Sequence, residues 1–252
     1  MAEAVLKGRT SNQPSTKNKK QRRIDMPRTP VKERKLPVYT HGEEVFNMVS
    51  HIVGGGLGVL AMIGVIIKCA LTHNVWGMVS GILYCLSMIL VYTISSVYHG
   101  LDPVKDRYAK KIMQILDHCD IYTLICGTYT PIAMGALREQ YPALAWTTWA
   151  IVHVVCIVGT VFTAIDFHKY GPLSYSCYFV AGWSVLSAIW AMWLVYSPWF
   201  ILLFAGGGVV YSLGMIYFVR QTKGHKYSHS IFHLFILGGT ILQFAAIFAY
   251  CM

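Results

Sequence analysis

The stretch "HSIFHLFILGGTILQFAAIFAYCM" (229–252) is apolar over a length that crosses a bilayer, yet it opens with two histidines four residues apart, His229 and His233. A helix needs about 20 apolar residues to span the hydrocarbon core. Six further runs of that kind precede it, at about 45–71, 76–99, 113–137, 143–165, 173–196 and 198–220. The sequence therefore predicts an all-α membrane protein, a seven-transmembrane-helix bundle whose two termini face opposite sides. With 55% hydrophobic and only 13% charged residues, the chain lies outside the make-up of ordinary soluble domains.

Charge orients the bundle. Lysine and arginine favour the cytoplasmic side, and the formal charge of +10 comes mainly from the first 45 positions. A cytoplasmic N-terminus also puts Lys105, Arg107, Lys110, Lys111, Lys169, Arg220, Lys223 and Lys226 inside. Only Lys68 and Arg138 then fall outside, so the expected topology is N-terminus cytoplasmic, C-terminus outside. Residues 1–40 are rich in Lys, Arg, Pro and Ser without apolar periodicity, and are expected to be a basic disordered cytoplasmic tail; residues 41–252 form the membrane domain. "KNKKQRR" (17–23) either touches anionic lipid or simply sets topology; no specific nucleic acid is expected as a partner. Hydrophobicity begins only near Val45, which argues against a cleaved leader. The seven cysteines sit almost wholly in apolar runs with no C-x-x-C pair, so they read as buried thiols.

Ionisable and polar groups inside spans are costly and point to function. The second run ends in "SSVYH", with Ser95 and His99; the third contains "LDHCD", with Asp117, His118 and Asp120; the seventh begins with His229 and His233. In the expected topology all three sets lie at the cytoplasmic ends of their helices, at one depth. Positions i and i+4 share a helical face, so His229 and His233 form a two-point chelate and Ser95 lies one turn from His99. A catalytic zinc takes three protein ligands and keeps a fourth position open, a number that His99, His229 and His233 supply; interfacial histidines are the simpler alternative. Asp117 either binds the metal or accepts a hydrogen bond from a water at the site, and Ser95 donates to that water or to a substrate oxygen; the outer role is preferred for both. Glu44, Asn47 and His51 follow one face of the first helix and either line the interior or snorkel and pack. His118 points about 100° away from Asp117 and is not expected to ligate. Asp120 lies nearer the Asp117 face. His153 is expected to make a core hydrogen bond, and Asp166 and His168 to be solvated.

The S-x-x-x-H of Ser95 and His99, Asp117 in "LDHCDIYTLICGTYTP", the H-x-x-x-H of His229 and His233, and "GEEVFNMVSHIVGG" in the first span together resemble the progestin and adipoQ receptor family, and within it the bacterial hemolysin III-like branch. The resemblance covers roughly residues 39–252 and leaves out the basic tail. It implies a seven-helix bundle with its N-terminus inside, Zn2+ held near the cytoplasmic face by the three histidines, and the aspartate nearby. The wider superfamily includes alkaline ceramidases, which implies metal-dependent hydrolysis of a lipid amide; the branch takes its name from cytolytic activity. Three functions thus remain open: a zinc hydrolase whose lipid substrate arrives from the bilayer of the plasma membrane, a pore-forming or cytolytic protein with structural zinc, and a receptor-like regulator of membrane lipid state.

Overall fold

The structure, a computed structural model, describes residues 27–221 and 224–252. The tail before residue 27, with its "KNKKQRR" run, and Lys223 lie outside the described residues. The described residues form helices and turns without a strand: α1 (His41–Leu71), α2 (Val75–Gly100), α3 (Arg107–Met134), the short α4 (Ala136–Gln140), α5 (Pro142–Trp183), a 3-10 turn (Ser184–Ser187), α6 (Ile189–Val195), α7 (Pro198–Gln221) and α8 (Ser228–Tyr250). Sequence neighbours α1–α2, α2–α3, α3–α5 and α7–α8 pack side by side, and α8 returns to α1 to close the bundle.

Five stretches are long and apolar enough to cross a membrane: α1, α2, Pro142–Ser187, α7 and α8. Apolar side chains such as Ile52, Leu60, Ile67, Val154, Ile157 and Leu202 point outward, as lipid-facing residues do. The protein is thus a multi-pass integral membrane protein. α3 is of comparable length, but Arg107, Lys110, Lys111, Asp117 and Asp120 interrupt its apolar sequence.

The polar stretch expected to separate the fourth and fifth runs, "DFHKYGP" (166–172), is a one-residue kink. Only Asp166 leaves helical geometry. Its Oδ1 accepts the N–H groups of His168 and Lys169, both at 3.1 Å, which is how an aspartate caps a helix start. Its Oδ2 accepts the Thr29 N–H at 2.9 Å. Asp166 is therefore fully buried, not solvated as a boundary aspartate would be. Its partner Thr29 belongs to residues 27–40, which the sequence assigns to the tail and which lie instead against the bundle. There the guanidinium of buried Arg34 donates to the Ile165 carbonyl, and Lys111 Nζ donates to the Lys32 carbonyl.

Several contacts fix α8, the helix that carries the histidine pair. Thr40 and Glu43 form a capping box at the start of α1, and Glu43 Oε1 also accepts the Tyr227 N–H, 2.6 Å away, just before α8. Ser230 donates to Asn47 Oδ1 at 2.7 Å. Deeper in the bundle the Thr240 hydroxyl lies 2.8 Å from both the Tyr92 and the Tyr211 hydroxyls, joining α2, α7 and α8. Close helix approach uses some of the glycines: a Cβ on Gly54 would sit 2.9 Å from the Tyr92 ring, and one on Gly239 would sit 2.8 Å from the Tyr211 ring. At the far end of the bundle Lys68 Nζ donates to the Phe248 and Ala249 carbonyls, where a cation suits the C-terminus of α8.

Candidate metal centre

His99 comes from the last turn of α2, His229 and His233 from the first two turns of α8. All three are buried, at 3%, 4% and 2% exposure, and one ligating atom from each lies within 4.8 Å of the other two. They are the one such set among the described residues. His229 Nε2 and His233 Nε2 are 3.0 Å apart. Two nitrogens bound tetrahedrally at 2.0–2.1 Å to one zinc ion stand about 3.3 Å apart, so the pair needs only a small adjustment to share an ion. His99 Nε2 is buried with no hydrogen-bond partner, as a nitrogen reserved for a metal would be. The donor set fits a metal, and imidazole suits zinc among several ions.

Other residues take up defined positions around this set. His99 Nδ1 meets Glu44 Oε2 at 2.7 Å, and Glu44 Oε1 meets Lys110 Nζ at 2.8 Å. Glu44 is therefore neither a snorkelling side chain nor a simple lining residue. Asn47, fully buried, binds Ser230 instead. The His51 ring stacks on His233, with centroids 3.7 Å apart and planes 10° apart, and packs edge-on against Tyr92. It stays outside the ligating set and holds the plane of its neighbour.

Ser95, one turn before His99, is buried and its hydroxyl has no partner. Asp117 is partly exposed, and its carboxylate lies 3.8 Å from His118 Nδ1, outside the three-nitrogen set. His118 Nδ1 donates to the Gln114 carbonyl at 2.7 Å, and its ring faces Phe167 and Phe218. Asp120 is buried, with Oδ2 unpartnered. His153 Nδ1 donates to the Trp149 carbonyl at 2.8 Å, a local helix bond.

Two tyrosines escape the sequence reading. The Tyr98 ring lies 4.6 Å from that of His99, and its buried hydroxyl has no partner; adjacency in "SSVYH" was the available signal. Tyr39 covers the cluster from residues 27–40, its ring 5.6 Å from His99 and 5.2 Å from His229, and Gln221 donates to its hydroxyl. Burial pushes that hydroxyl well above the ordinary phenol range, so it remains a neutral donor. No sequence signal marked it. A cavity of 340 Å3 lined by Tyr39, Tyr98, His118, Tyr175, Phe218 and His229 reaches the cluster from the end of the bundle. A second, apolar cavity of 110 Å3 lies between α2, α3, α5, α7 and α8. Phe232 borders it, 5.7 Å from the His229 ring, so one ring separates this cavity from the histidines.

Fold and site together define a helical integral membrane protein with a buried three-histidine centre at one end of the bundle. The chain belongs to the haemolysin-III-related family, whose model matches residues 39–244, and it is a hemolysin III-like member of the progestin and adipoQ receptor family. It is 32% identical to Hemolysin-3 of Bacillus cereus over 210 residues, covering 83% of this chain and 92% of that protein. Against the Hemolysin-3 homolog of Bacillus subtilis (strain 168) identity is 34% over 216 residues, covering 85% and 97%. The human monocyte to macrophage differentiation factor is 25% identical over 225 residues, covering 88% and 90%. No solved structure gives a significant match.

Proposed function

We propose that this chain crosses the plasma membrane seven times with its N-terminus in the cytoplasm, and that its histidine centre holds zinc and hydrolyses a lipid amide or ester. The count of seven treats the 46-residue apolar stretch Pro142–Ser187 as two crossings divided at Asp166. As one straight helix it would run about 69 Å, more than twice the roughly 30 Å core. α3 supplies another crossing, its Arg and Lys residues gathered in the first turns. The orientation follows from charge: residues 27–40, Lys105, Arg107, Lys110, Lys111 and Lys226 belong to the histidine end, Lys68 and Arg138 to the other.

One observation carries the functional reading: three buried imidazoles converge, with one cavity lined by His229 and another bordered by Phe232 beside them. When bound there, zinc supplies Lewis acidity that polarises a carbonyl and makes water a better nucleophile at neutral pH. Ser95 offers its free hydroxyl to a substrate oxygen, and Asp117, at the same end of α3, accepts a proton from water. The apolar cavity behind Phe232 suits an acyl chain, and the cavity under Tyr39 suits a polar headgroup. Membrane lipids are accordingly the substrates expected.

The test measures zinc by elemental analysis in detergent-purified wild type and His233→Ala, then fatty-acid release from ceramides and lipid esters. Stoichiometric zinc, lost in the variant together with hydrolysis, is expected. Zinc without turnover of any lipid would remove the enzyme and keep the metal centre; wild type without zinc would remove both. The names of the two Bacillus relatives favour cytolysis as a second reading, with the histidines clamping α2 to α8. Dye release from liposomes by the same preparation would favour it.

A further inference from the structure

Glu44 stands 55 positions from His99 in sequence, yet it meets the Nδ1 edge of the imidazole and leaves the buried Nε2 without a partner. An ionised carboxylate only accepts hydrogen bonds. At 2.7 Å from Oε2, the His99 Nδ1 must therefore carry the hydrogen and donate it. The lone pair is then on Nε2, the buried nitrogen that has no partner within the protein. In the other tautomer two lone pairs would face each other across the same short distance, and an N–H would point into the centre.

The carboxylate is itself held. Lys110, fully buried, places Nζ 2.8 Å from Glu44 Oε1, 3.0 Å from the Tyr98 carbonyl and 2.9 Å from the Leu101 carbonyl. An ammonium has three donors, and here each has its own acceptor. Those two carbonyls close the end of α2, the turn that carries His99. The side chain of Glu44 thus has its second oxygen fixed by a group anchored to the same turn. His229 has no comparable support, because its Nδ1 atom is unpartnered.

We infer that Glu44, held in place by Lys110, is a positioning residue that fixes His99 in the Nδ1–H tautomer and aims Nε2 at the metal. The inference rests on the metal-centre reading above. It gives α1 and α3 a part in metal retention although neither supplies a ligand. Outer hydrogen-bond partners of metal-binding histidines typically account for 10–100-fold in metal affinity. A merely structural ion pair would instead tie three helices together and leave affinity unchanged.

The test uses Co2+ as a spectroscopic probe and Zn2+ in competition with a chelator, on full-length protein in detergent. Wild type is expected to bind one Co2+ with the strong visible bands of a tetrahedral site. Glu44→Gln should lower affinity for either ion roughly 10–100-fold and shift the bands, with helix content and elution volume retained; Glu44→Asp should recover part of the loss. Glu44→Gln that does not fold is replaced by Glu44→Gln with Lys110→Met, which leaves no buried unpaired ammonium and should show the same loss. Wild-type affinity and unchanged bands in whichever of these variants folds would overturn the inference while leaving the metal centre intact. Wild type that binds neither ion would overturn the centre itself.

Discussion

Replacing Asp166 with asparagine should release residues 27–40 from the bundle while preserving the kink in α5. The three backbone N–H groups at this carboxylate divide unequally. His168 and Lys169 use Oδ1, which asparagine retains, whereas Thr29 uses Oδ2, which becomes an NH2 and faces the Thr29 N–H donor to donor. A hydrogen bond to a charged group contributes about 1.5–3 kcal/mol net. The Thr29 contact is partly buried, which favours the lower figure, or roughly a tenfold rise in the open population of the segment. Hydrogen exchange of peptides covering residues 27–40, with the protein in nanodiscs, would report that rise directly. Asp166→Ala should add about 1 kcal/mol for the lost helix cap and extend faster exchange to residues 167–170. Because Tyr39 lies at the end of the same segment and over His99 and His229, opening should also quicken metal loss to a chelator. Exchange in the asparagine variant within twofold of wild type would refute the assignment of Asp166 as the anchor.

Two further outcomes are open to measurement. Gly54→Leu should destabilise by about 1–3 kcal/mol through overpacking, since its Cβ meets the Tyr92 ring at 2.9 Å, whereas Gly56→Leu, with nothing within 4 Å, should leave thermal stability in detergent near wild type. In the turn between α2 and α3, the backbone N–H groups of Lys105 and Val104 hold the exposed Asp102 carboxyl below its ordinary value. A depressed carboxyl contributes while ionised, so the turn should persist above the unfolded value near 3.9 and loosen as pH falls through the lower folded one. The Lys105 amide shift should follow that transition in wild type and not in Asp102→Asn.

The histidine centre was legible because two of its residues are an i, i+4 pair and the third shares their depth once topology is assigned from charge. Glu44 was not, since a carboxylate near the start of a membrane helix looks the same whether it snorkels or binds a ring 55 positions away. Asp166 was misread for a related reason: a polar run between two apolar ones predicts a solvated loop, whereas Thr29 and the Arg34 charge, both from residues 27–40, support its burial. Residues 27–40 lack apolar periodicity, so their ordering depends on single hydrogen bonds to groups far along the chain. The apolar lengths of α1, α2, α7 and α8 were legible, whereas the division of α5 was reduced from a loop to one residue by the aspartate's own cap.

The double contact at Thr240 has a consequence for the histidine cluster, whose His233 lies seven residues away. Seven residues bring a helix round to within about 20° of its starting direction, so Thr240 lies on the same face of α8 as His233. Tyr92 and Tyr211 reach its hydroxyl from α2 and α7. Any roll of α8 that swung the histidines away from His99 would have to break both phenol contacts together. The threonine works as an indexing pin: it sets the rotational phase of the last helix from the helix's own midpoint, so that the imidazoles at its end arrive already turned toward their partner.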